Sequence, residues 1–475
     1  MKTILTEKRE EKRKQRVMFA IAPWDMWGGE DDSGYPTGIA YLAAVLEREG
    51  YEVSVLNLTY TRYEDVIEDV KRKIKEINPD IFGINIMTNS RNSALKLLNV
   101  VKEINPNIPI IAGGVHTTIL PEQVLNNFPV DFLVLGEGEI TLTELVSTLK
   151  EKKPLKDFKK IKGIAFKYNG EILTTEKRER IRDLDSLPIP KHELFSEIIE
   201  KSGEASVMTS RGCPYACSFC PSSVHWGRYM IQRSVENVFK EVQYLIERFP
   251  SLKSIFFFDD EFICNKERVI KLCKMMIDNN VNIGWTCLGR VTSIDEELVS
   301  WMKRAGCKEM IFGVESGSQK ILDALGKKVK IHQIVEAFRI CKKYKIPTRC
   351  LTIIGLPGEN SQTVKETIKL VKKVRDTSEP AILLVFPGTR IYEIAKEKGV
   401  LDDEYWLSDK LVPFYTGEHS KMQLWWWSFK VGFYSRLYAK PFSLFEFFNR
   451  KILQKLDNIQ GFKRIFKRYV TNKTD

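Results

Sequence analysis

The sequence predicts an α/β protein with two domains built on parallel strands, and three observations support this. At 475 residues, 43% of them hydrophobic, the chain is longer than one hydrophobic core usually encloses. Short apolar runs alternate with amphipathic polar segments through residues 17–150, as expected for buried parallel strands separated by helices. After residue 200 the alternation resumes, and six further apolar runs predict six βα units.

The first domain, residues 17–150, follows a charged tail of residues 1–16 and is predicted to be doubly wound and Rossmann-like. In its fourth apolar run Pro109 has no N–H to donate, so we expect strand pairing to start at Ile110. Ligands of such sheets bind at the carboxyl ends of the strands. The predicted strands are 17–22, 53–58, 81–86, 108–112 and 132–135, and the predicted helices include 38–49 and 93–104.

A connector of residues 151–200 follows. Asn169-Gly170 between alternating apolar residues predicts a β-hairpin, and Pro188 and Pro190 prevent a continuous helix after it. We interpret the connector as an interdomain strap.

The second domain, residues 201–395, carries the six βα units, and its functional residues are expected at the carboxyl ends of its strands. Beyond it the short apolar runs stop, and residues 396–475 predict a helical, basic extension rich in aromatic residues. The predicted strands are 206–210, 254–258, 283–288, 309–314, 348–354 and 381–386.

Charge and cysteine content favour a cytoplasmic protein that does not act on nucleic acid. The nine cysteines are an odd number, and six of them are scattered without disulfide-like spacing, which fits a reducing cytosol. We find neither an N-terminal apolar signal region nor an apolar run long enough to span a bilayer, so neither secretion nor a spanning helix is expected. The net charge of +12 comes from the two ends, residues 1–16 and 421–475. A nucleic-acid enzyme more often carries its basic surface beside the active site, so no nucleic-acid partner is expected.

Three cysteines share one short loop, Cys213, Cys217 and Cys220, which we call the cysteine loop. An iron–sulfur cluster normally takes four thiolates, so three would leave one iron with an open coordination position. A zinc knuckle would need a second ligand pair at similar spacing, and none follows. Ordinary buried thiols are the other alternative, although Gly212 and Pro214 shape this stretch as a turn.

The CxxxCxxC spacing, with Phe219 just before the last cysteine, resembles the radical S-adenosylmethionine (SAM) enzymes. The resemblance implies a partial (β/α)6 TIM-like barrel in which the three cysteines bind a [4Fe-4S] cluster and SAM chelates the fourth iron. It also implies that an electron from the cluster cleaves SAM to methionine and a 5′-deoxyadenosyl radical, which abstracts hydrogen from an unactivated carbon.

Two glycine-rich turns follow the fourth and fifth strands of the first domain. We call them the GGVHTT turn, with Gly113, Gly114 and His116, and the GEGE turn, with Gly136 and Glu137. Simple tight turns would also explain the glycines. The pair nevertheless resembles the cobalamin-binding domain fused in front of many radical SAM domains, which implies that these residues contact cobalamin.

Two differences from known families refine the prediction for the first domain. The cobalamin domains of mutases carry a DxHxxG loop with a cobalt-ligating histidine, whereas residues 22–28 of this chain contain no histidine. The resemblance therefore implies cobalt without a histidine ligand from this domain; His116 could be a ligand, but orienting its turn or contacting the cofactor's tail is the favoured role. The tRNA methylthiotransferases also resemble the later part of the chain, and their first domain carries three cysteines for a second cluster. No cysteine precedes Cys213 here, which argues against a first domain of that kind.

Further candidates follow the later strands of the second domain. The resemblance implies that Glu315 and Ser316 contact the SAM amino group or ribose, that the turn with Gly355 and Gly358 lies near the adenine, and that Arg290 has the complementary task of recognising a carboxylate. Asp259 and Asp260 are candidates for a cofactor or substrate site. For each acid, a helix N-cap or first-turn carboxylate is the structural alternative.

The extension allows two interpretations. Trp425, Trp426 and Trp427 lead into further aromatic residues interleaved with Lys and Arg, a pattern of helices that lie on a bilayer surface. The favoured alternative is a helix that packs its aromatic residues on the barrel and closes the substrate cavity. The further aromatic residues include Phe429, Phe433, Tyr434, Tyr438, Phe442, Phe445, Phe447 and Phe448.

The resemblance covers residues 17–395 and implies a cobalamin-dependent radical SAM enzyme. Methylation of an unactivated carbon through methylcobalamin is the first hypothesis. Radical rearrangement, cyclisation or carbon–carbon coupling without methyl transfer, and a corrinoid-binding sensor or carrier without turnover, are the alternatives. The expected partners are a small-molecule or lipid substrate, a low-potential electron donor of the flavodoxin or ferredoxin type, and a membrane surface met through the extension.

Overall fold

The computed structural model describes residues 13–25, 35–59 and 63–439. Within them the chain divides into two compact units. The first contains the residues up to Leu288 together with Arg304–Cys307 and Leu384–Phe414, and the second contains the rest. The predictions for most of the charged tail, for Met26 to Gly28 and for the aromatic residues from Phe442 onward lie outside the described residues.

The N-terminal sheet of the first unit has seven strands in the order β2-β1-β3-β4-β5-β6-β7. The first five are parallel and separated by helices, and all except the edge strand β2 are largely buried, so the doubly wound prediction is confirmed. Ile110 pairs with Phe82 as the first residue of its strand, as Pro109 required. The elements are β1 (Arg16–Ile21), α1 (Thr37–Arg48), β2 (Glu52–Asn57), α2 (Tyr63–Ile77), β3 (Ile81–Asn85), α3 (Arg91–Ile104), β4 (Ile110–Gly113), α4 (Val115–Ile119), α5 (Pro121–Asn127), β5 (Phe132–Val134) and α6 (Glu139–Lys150).

The connector forms the predicted hairpin, β6 (Ile164–Tyr168) and β7 (Glu171–Thr174). Asn169 and Gly170 both have positive φ, 53° and 86°, as a tight two-residue hairpin turn requires. The hairpin also joins the sheet, since β6 pairs antiparallel with β5 through Phe132 and Phe166. Our interpretation of the connector as a strap alone was therefore incomplete, because period-two patterning reveals a hairpin but not its partner.

The remaining strands alternate with helices as predicted, except for a short antiparallel pair, Ser210–Arg211 with Ile231–Gln232, that was not predicted. In the first unit β8, β11 and β12 run parallel, and in the second unit β13, β14 and β15 do. The elements are α7 (Ser196–Ser202), β8 (Glu204–Val207), β9 (Ser210–Arg211), α8 (Ser222–Trp226), β10 (Ile231–Gln232), α9 (Val235–Arg248), β11 (Ser254–Phe257), α10 (Lys266–Asp278), β12 (Gly284–Gly289), α11 (Glu296–Arg304), β13 (Cys307–Glu315), α12 (Gln319–Ala324), α13 (Ile331–Lys343), β14 (Thr348–Ile354), α14 (Ser361–Val374), β15 (Ser378–Ile382), α15 (Arg390–Glu397) and α16 (Lys421–Ala439).

The sixth predicted strand of this domain, 381–386, was placed too late. The strand runs over Ser378–Ile382 and includes Pro380, which lacks a donor but is tolerated because β15 is an edge strand. Among the described residues, no helix combines the length and apolarity needed to cross a membrane.

Candidate functional site

The cysteine loop joins β9 to α8 in the first unit. Its entry is fixed by the pairing of Arg211 with Ile231 and by Gly212, whose φ is +88°. A Cβ on Gly212 would lie 2.3 Å from the carbonyl oxygen of Tyr229, so only glycine fits there. This close approach of two chain segments gives the loop a defined entry.

The three loop cysteines are half-buried and form no disulfide. Burial, reinforced by the charges of Glu261 and Asp260, raises the pKa of Cys213 to about 12, so a metal would have to displace its proton. In the described parts of the chain no three His, Cys, Asp or Glu side chains converge closely enough to hold a metal ion. As a donor set, three cysteine sulfurs on one short loop fit an iron–sulfur cluster with one open iron position.

Asp259 and Asp260, which follow β11, bind the chain around the cysteine loop. Asp259 is fully buried and accepts hydrogen bonds from the backbone N and the hydroxyl of Thr209, both at 2.8 Å, and from Ser210. Asp260 accepts from the Ser222 hydroxyl at 2.8 Å and from the backbone N of Gly212. Burial raises the pKa of both carboxyls. Asp260 therefore ties the residue before the loop to the residue after it.

The GGVHTT turn lies at the carboxyl end of β4. Gly114 has φ +107°, and a Cβ there would lie 2.3 Å from Asn85 Oδ1. His116 is completely buried, with Nδ1 3.3 Å from Thr88 Oγ1 and no hydrogen-bond partner for Nε2. Burial, helped by Arg91, lowers the pKa of His116 to about 3, so the ring is neutral. A neutral buried histidine with an orphaned nitrogen fits the predicted cobalamin contact.

A segment from far along the chain covers this turn. The Trp406 ring packs edge-on against His116, with centroids 6.3 Å apart, and the Arg91 guanidinium lies 5.2 Å from the Trp406 ring centroid. Arg91 also donates to the Trp406 and Ser408 carbonyls at 3.2 Å. We did not predict Arg91 or Trp406, since their separation in sequence leaves no local signal.

The GEGE turn is linked to the cysteine loop by Arg211. Glu137 Oε1 accepts from Arg211 Nη1 at 2.7 Å, and Glu139 Oε1 accepts from Nη2 at 2.5 Å. Burial alone would lower the pKa of Arg211, but Glu139 and Glu137 raise it above its usual value. The predicted candidate Glu137 is thus engaged by protein, with its second oxygen accepting from Ile181 N at 2.8 Å. Gly136 stays open, because a Cβ there would meet no atom within 4 Å.

In the second unit, Glu315 ends β13 with φ +63°, a left-handed conformation that is unfavourable for glutamate and common at functional sites. Its Oε1 accepts from Lys327 Nζ at 2.5 Å, and both side chains are buried. The adjacent Ser316 hydroxyl accepts from Ser318 N at 3.2 Å, and Arg290 is also buried. Lys327 was not predicted, because nothing local marks it among the neighbouring lysines.

The turn after β14 is held by the C-terminal extension. Gly355 N donates to Glu359 Oε2 at 2.6 Å, while Gly358 N donates to Glu418 Oε2 at 2.7 Å. His419 Nε2 lies 2.7 Å from the Glu359 carbonyl oxygen. Burial raises the pKa of Glu359 to about 7. The extension therefore contributes directly to one predicted part of the site.

Helix α16 is apolar on two sides. Leu424, Trp427 and Val431 are buried in a cluster with Ile354 and Val364. By contrast, Trp425 and Trp426 are 57% and 52% exposed. The Trp426 ring stacks on Phe429 and lies 4.9 Å from Lys430 Nζ. One face of α16 therefore packs on the protein, as the favoured interpretation expects, while the other presents aromatic rings to solvent, as a helix that lies on a bilayer surface would.

Comparisons with known proteins agree with this architecture. Residues 31–146 match the model of the B12 binding domain, and residues 207–371 match that of the radical SAM superfamily. An uncharacterized methyltransferase of Pyrococcus horikoshii is 35% identical over 79% of this chain and 81% of its own. The anaerobic magnesium-protoporphyrin IX monomethyl ester cyclase of Rubrivivax gelatinosus is 31% identical over 75% of this chain, which spans 65% of that protein.

The radical SAM methyltransferase TsrM of Kitasatospora setae, whose structure holds cobalamin and a [4Fe-4S] cluster, shares the fold with a TM-score of 0.69. It is 19% identical over 82% of this chain and 76% of its own. Fold and loops thus define an α/β enzyme with a B12-binding domain followed by a radical SAM domain. The chain belongs to the cobalamin-dependent branch of the radical SAM superfamily, whose cofactors are a [4Fe-4S] cluster, SAM and cobalamin.

Proposed function

We propose that the enzyme transfers a methyl group to an unactivated carbon of a small-molecule or lipid substrate. The observation that carries this is the combination of both domains in one chain with a relative named as a methyltransferase along four fifths of its length. When bound, the [4Fe-4S] cluster supplies the electron that cleaves SAM, and cobalamin carries the methyl group.

In this proposal Cys213, Cys217 and Cys220 hold the cluster from one loop. Cobalamin lies against the turns that carry Gly113, Gly114 and Gly136, of which Gly136 has open space beside its backbone, with His116 Nε2 as a hydrogen-bonding contact. Because the pKa of His116 is low, this contact is made by a neutral ring. The carboxylates of Asp259, Asp260 and Glu137 position chain segments, since their oxygens accept hydrogen bonds from protein groups.

For SAM, we assign the ammonium group to Glu315, the ribose to Ser316, the carboxylate to Arg290 and the adenine to the turn with Gly355 and Gly358. Glu315 is suited to this role because Lys327 neutralises one of its oxygens and fixes its direction. The left-handed backbone of Glu315 and its ion pair with Lys327 orient the carboxylate before SAM binds, which lowers the entropic cost of binding.

Anaerobic reconstitution with iron, sulfide, corrinoid and methyl-labelled SAM tests the proposal. With dithionite and an extract of small molecules or lipids, the wild type should yield 5′-deoxyadenosine and a labelled product. Cys217→Ala should abolish both, whereas Cys341→Ala, a buried cysteine outside the loop, should retain them. Zinc in place of iron, or full activity of Cys217→Ala, would overturn the proposal.

Cyclisation without methyl transfer is the second candidate, and the 31% identical cyclase favours it. The same experiment separates the two, since a cyclised product would lack the label while 5′-deoxyadenosine still formed.

A radical SAM enzyme needs an external reductant. We propose a flavodoxin or ferredoxin, and replacing dithionite by a reduced flavodoxin should sustain turnover.

We further propose that the exposed face of α16 binds an anionic lipid surface. Stacked exposed aromatic rings beside Lys430 match the headgroup region, and residues 421–475 carry twelve Lys or Arg against three acids. The full chain should sediment with vesicles containing phosphatidylglycerol, less so at high salt. Replacing Trp425, Trp426 and Phe429 by Ala should abolish this, and Leu155→Ala, another exposed apolar residue, should not. Equal binding by both variants would contradict the proposal.

A further inference from the structure

Arg211 stands where the two predicted cofactor loops meet. It lies two residues before Cys213 and forms the short β9 strand that opens the cysteine loop. Its guanidinium points to the GEGE turn of the B12-binding domain, more than seventy residues earlier in the chain. Both loops belong to the same compact unit.

The contact is a buried fork. Each Arg211 terminal nitrogen meets a different carboxylate, Glu137 at 2.7 Å and Glu139 at 2.5 Å, and all three side chains are 5% or 6% exposed. The Tyr41 ring covers the guanidinium, with 5.2 Å between its centroid and Arg211 Cζ. Because a planar guanidinium donates in fixed directions, two separate acceptors define its orientation as well as its position.

Arg180 of the connector completes the arrangement. It donates to the Arg211 carbonyl at 3.1 Å and, on the far side of the cysteine loop, to the Trp226 carbonyl at 3.1 Å. Two arginines and two glutamates thus balance in charge, and the backbone before and after the loop is held by a single side chain. Asp260 spans the same loop from the barrel side.

We propose that Glu137 and Glu139 are positioning residues which, through Arg211, fix the distance between cobalamin and the iron–sulfur cluster. The inference rests on the proposed function and explains why the GEGE turn carries two glutamates whose oxygens bind protein. Loosening the fork should leave both cofactors bound while their separation varies, so that SAM cleavage continues but is less often followed by product.

The test uses the full chain loaded with cobalamin and cluster. The paramagnetic relaxation of Co(II) corrinoid depends steeply on its distance from the reduced cluster, and it needs no substrate. In Glu137→Gln/Glu139→Gln we expect the relaxation enhancement to fall severalfold with iron and corrinoid content unchanged. The ratio of 5′-deoxyadenosine to product should rise severalfold, while the KM for SAM stays the same.

Glu144→Gln is the matched control, since Glu144 lies on the same helix α6 as Glu139 and its ion pair with Arg178 is not part of the fork. Arg211→Lys keeps the charge but loses the fork, and it is the variant to measure if the double variant fails to fold. Its relaxation enhancement and product ratio should lie between those of the wild type and those expected for the double variant. If the loaded Glu137→Gln/Glu139→Gln and Arg211→Lys variants both showed the relaxation and the product ratio of the wild type, this inference would be overturned and the proposed function would stand. A wild type that loads no cluster or no corrinoid would instead refute the proposed function.

Discussion

At the scale of single residues, the candidate site consists of side chains whose protonation and conformation are set by burial. His116 is kept neutral and Glu315 is held in a strained conformation beside Lys327. The motifs gave the positions of these residues, whereas their partners could not be predicted. Lys327 lies 12 residues from its partner Glu315, and Trp406 lies 290 residues from its partner His116. No periodicity in the sequence links residues that meet only through the fold.

Glu359 gives a residue-scale prediction for pH dependence. Its folded-state pKa of about 7 exceeds the usual 4.5, so between these pH values the folded state keeps a proton that the unfolded state has lost. Stability therefore falls as pH rises through this window, by about 3 kcal/mol in total. Glu359→Gln should be more stable than the wild type at pH 8 and nearly equal at pH 5. Urea unfolding at both pH values measures this, and an identical pH dependence of the two proteins would contradict it.

At the scale of elements, parallel strands were the most predictable part, because buried apolar runs of this length have few alternatives. The exception is β15, which runs over Ser378–Ile382 and not over the predicted 381–386, because the apolar run continues past the end of the strand. For helix α16 the sequence predicted a helix but not its orientation. Its apolar residues surround the helix, so the sequence could not tell which side packs on the protein.

Helix α16 therefore offers a direct comparison of its two faces. Trp427→Ala should lower the free energy of unfolding by about 3–5 kcal/mol, because the indole is buried and leaves a cavity. Trp426→Ala, on the exposed face, should change it by less than about 1 kcal/mol. Denaturant unfolding of both variants measures the difference. Similar losses for the two would mean that the faces are wrongly assigned.

At the scale of the molecule, one buried polar network joins the B12-binding domain, the connector and the barrel within the first unit. Glu241 of α9 accepts from His192 at 3.1 Å and pairs with Arg233 at 2.5 Å. His192 is also hydrogen-bonded to Tyr35, and Arg233 donates to the Tyr41 hydroxyl at 3.1 Å. Sequence patterns predicted the order of the domains but not this link, since each member is separately an ordinary polar residue.

Removing the centre of this network should destabilise the first unit. Glu241→Ala leaves the Arg233 charge buried without its carboxylate, which should cost about 3–5 kcal/mol of unfolding free energy. Glu236→Ala on the same helix breaks an exposed pair with Lys271 and should cost less than about 1 kcal/mol. Thermal unfolding of the two variants provides the measurement, and equal midpoints would show that the network contributes nothing.

The hairpin of the connector has a consequence for dissecting the enzyme. Strand β6 hydrogen-bonds along β5, so a fragment ending at residue 150 would bare the amide and carbonyl groups of a hydrophobic strand. Such unprotected edges recruit strands from other molecules and aggregate. A fragment that continues through Thr174 keeps the hairpin as its own cover, and it is the shorter piece that should precipitate.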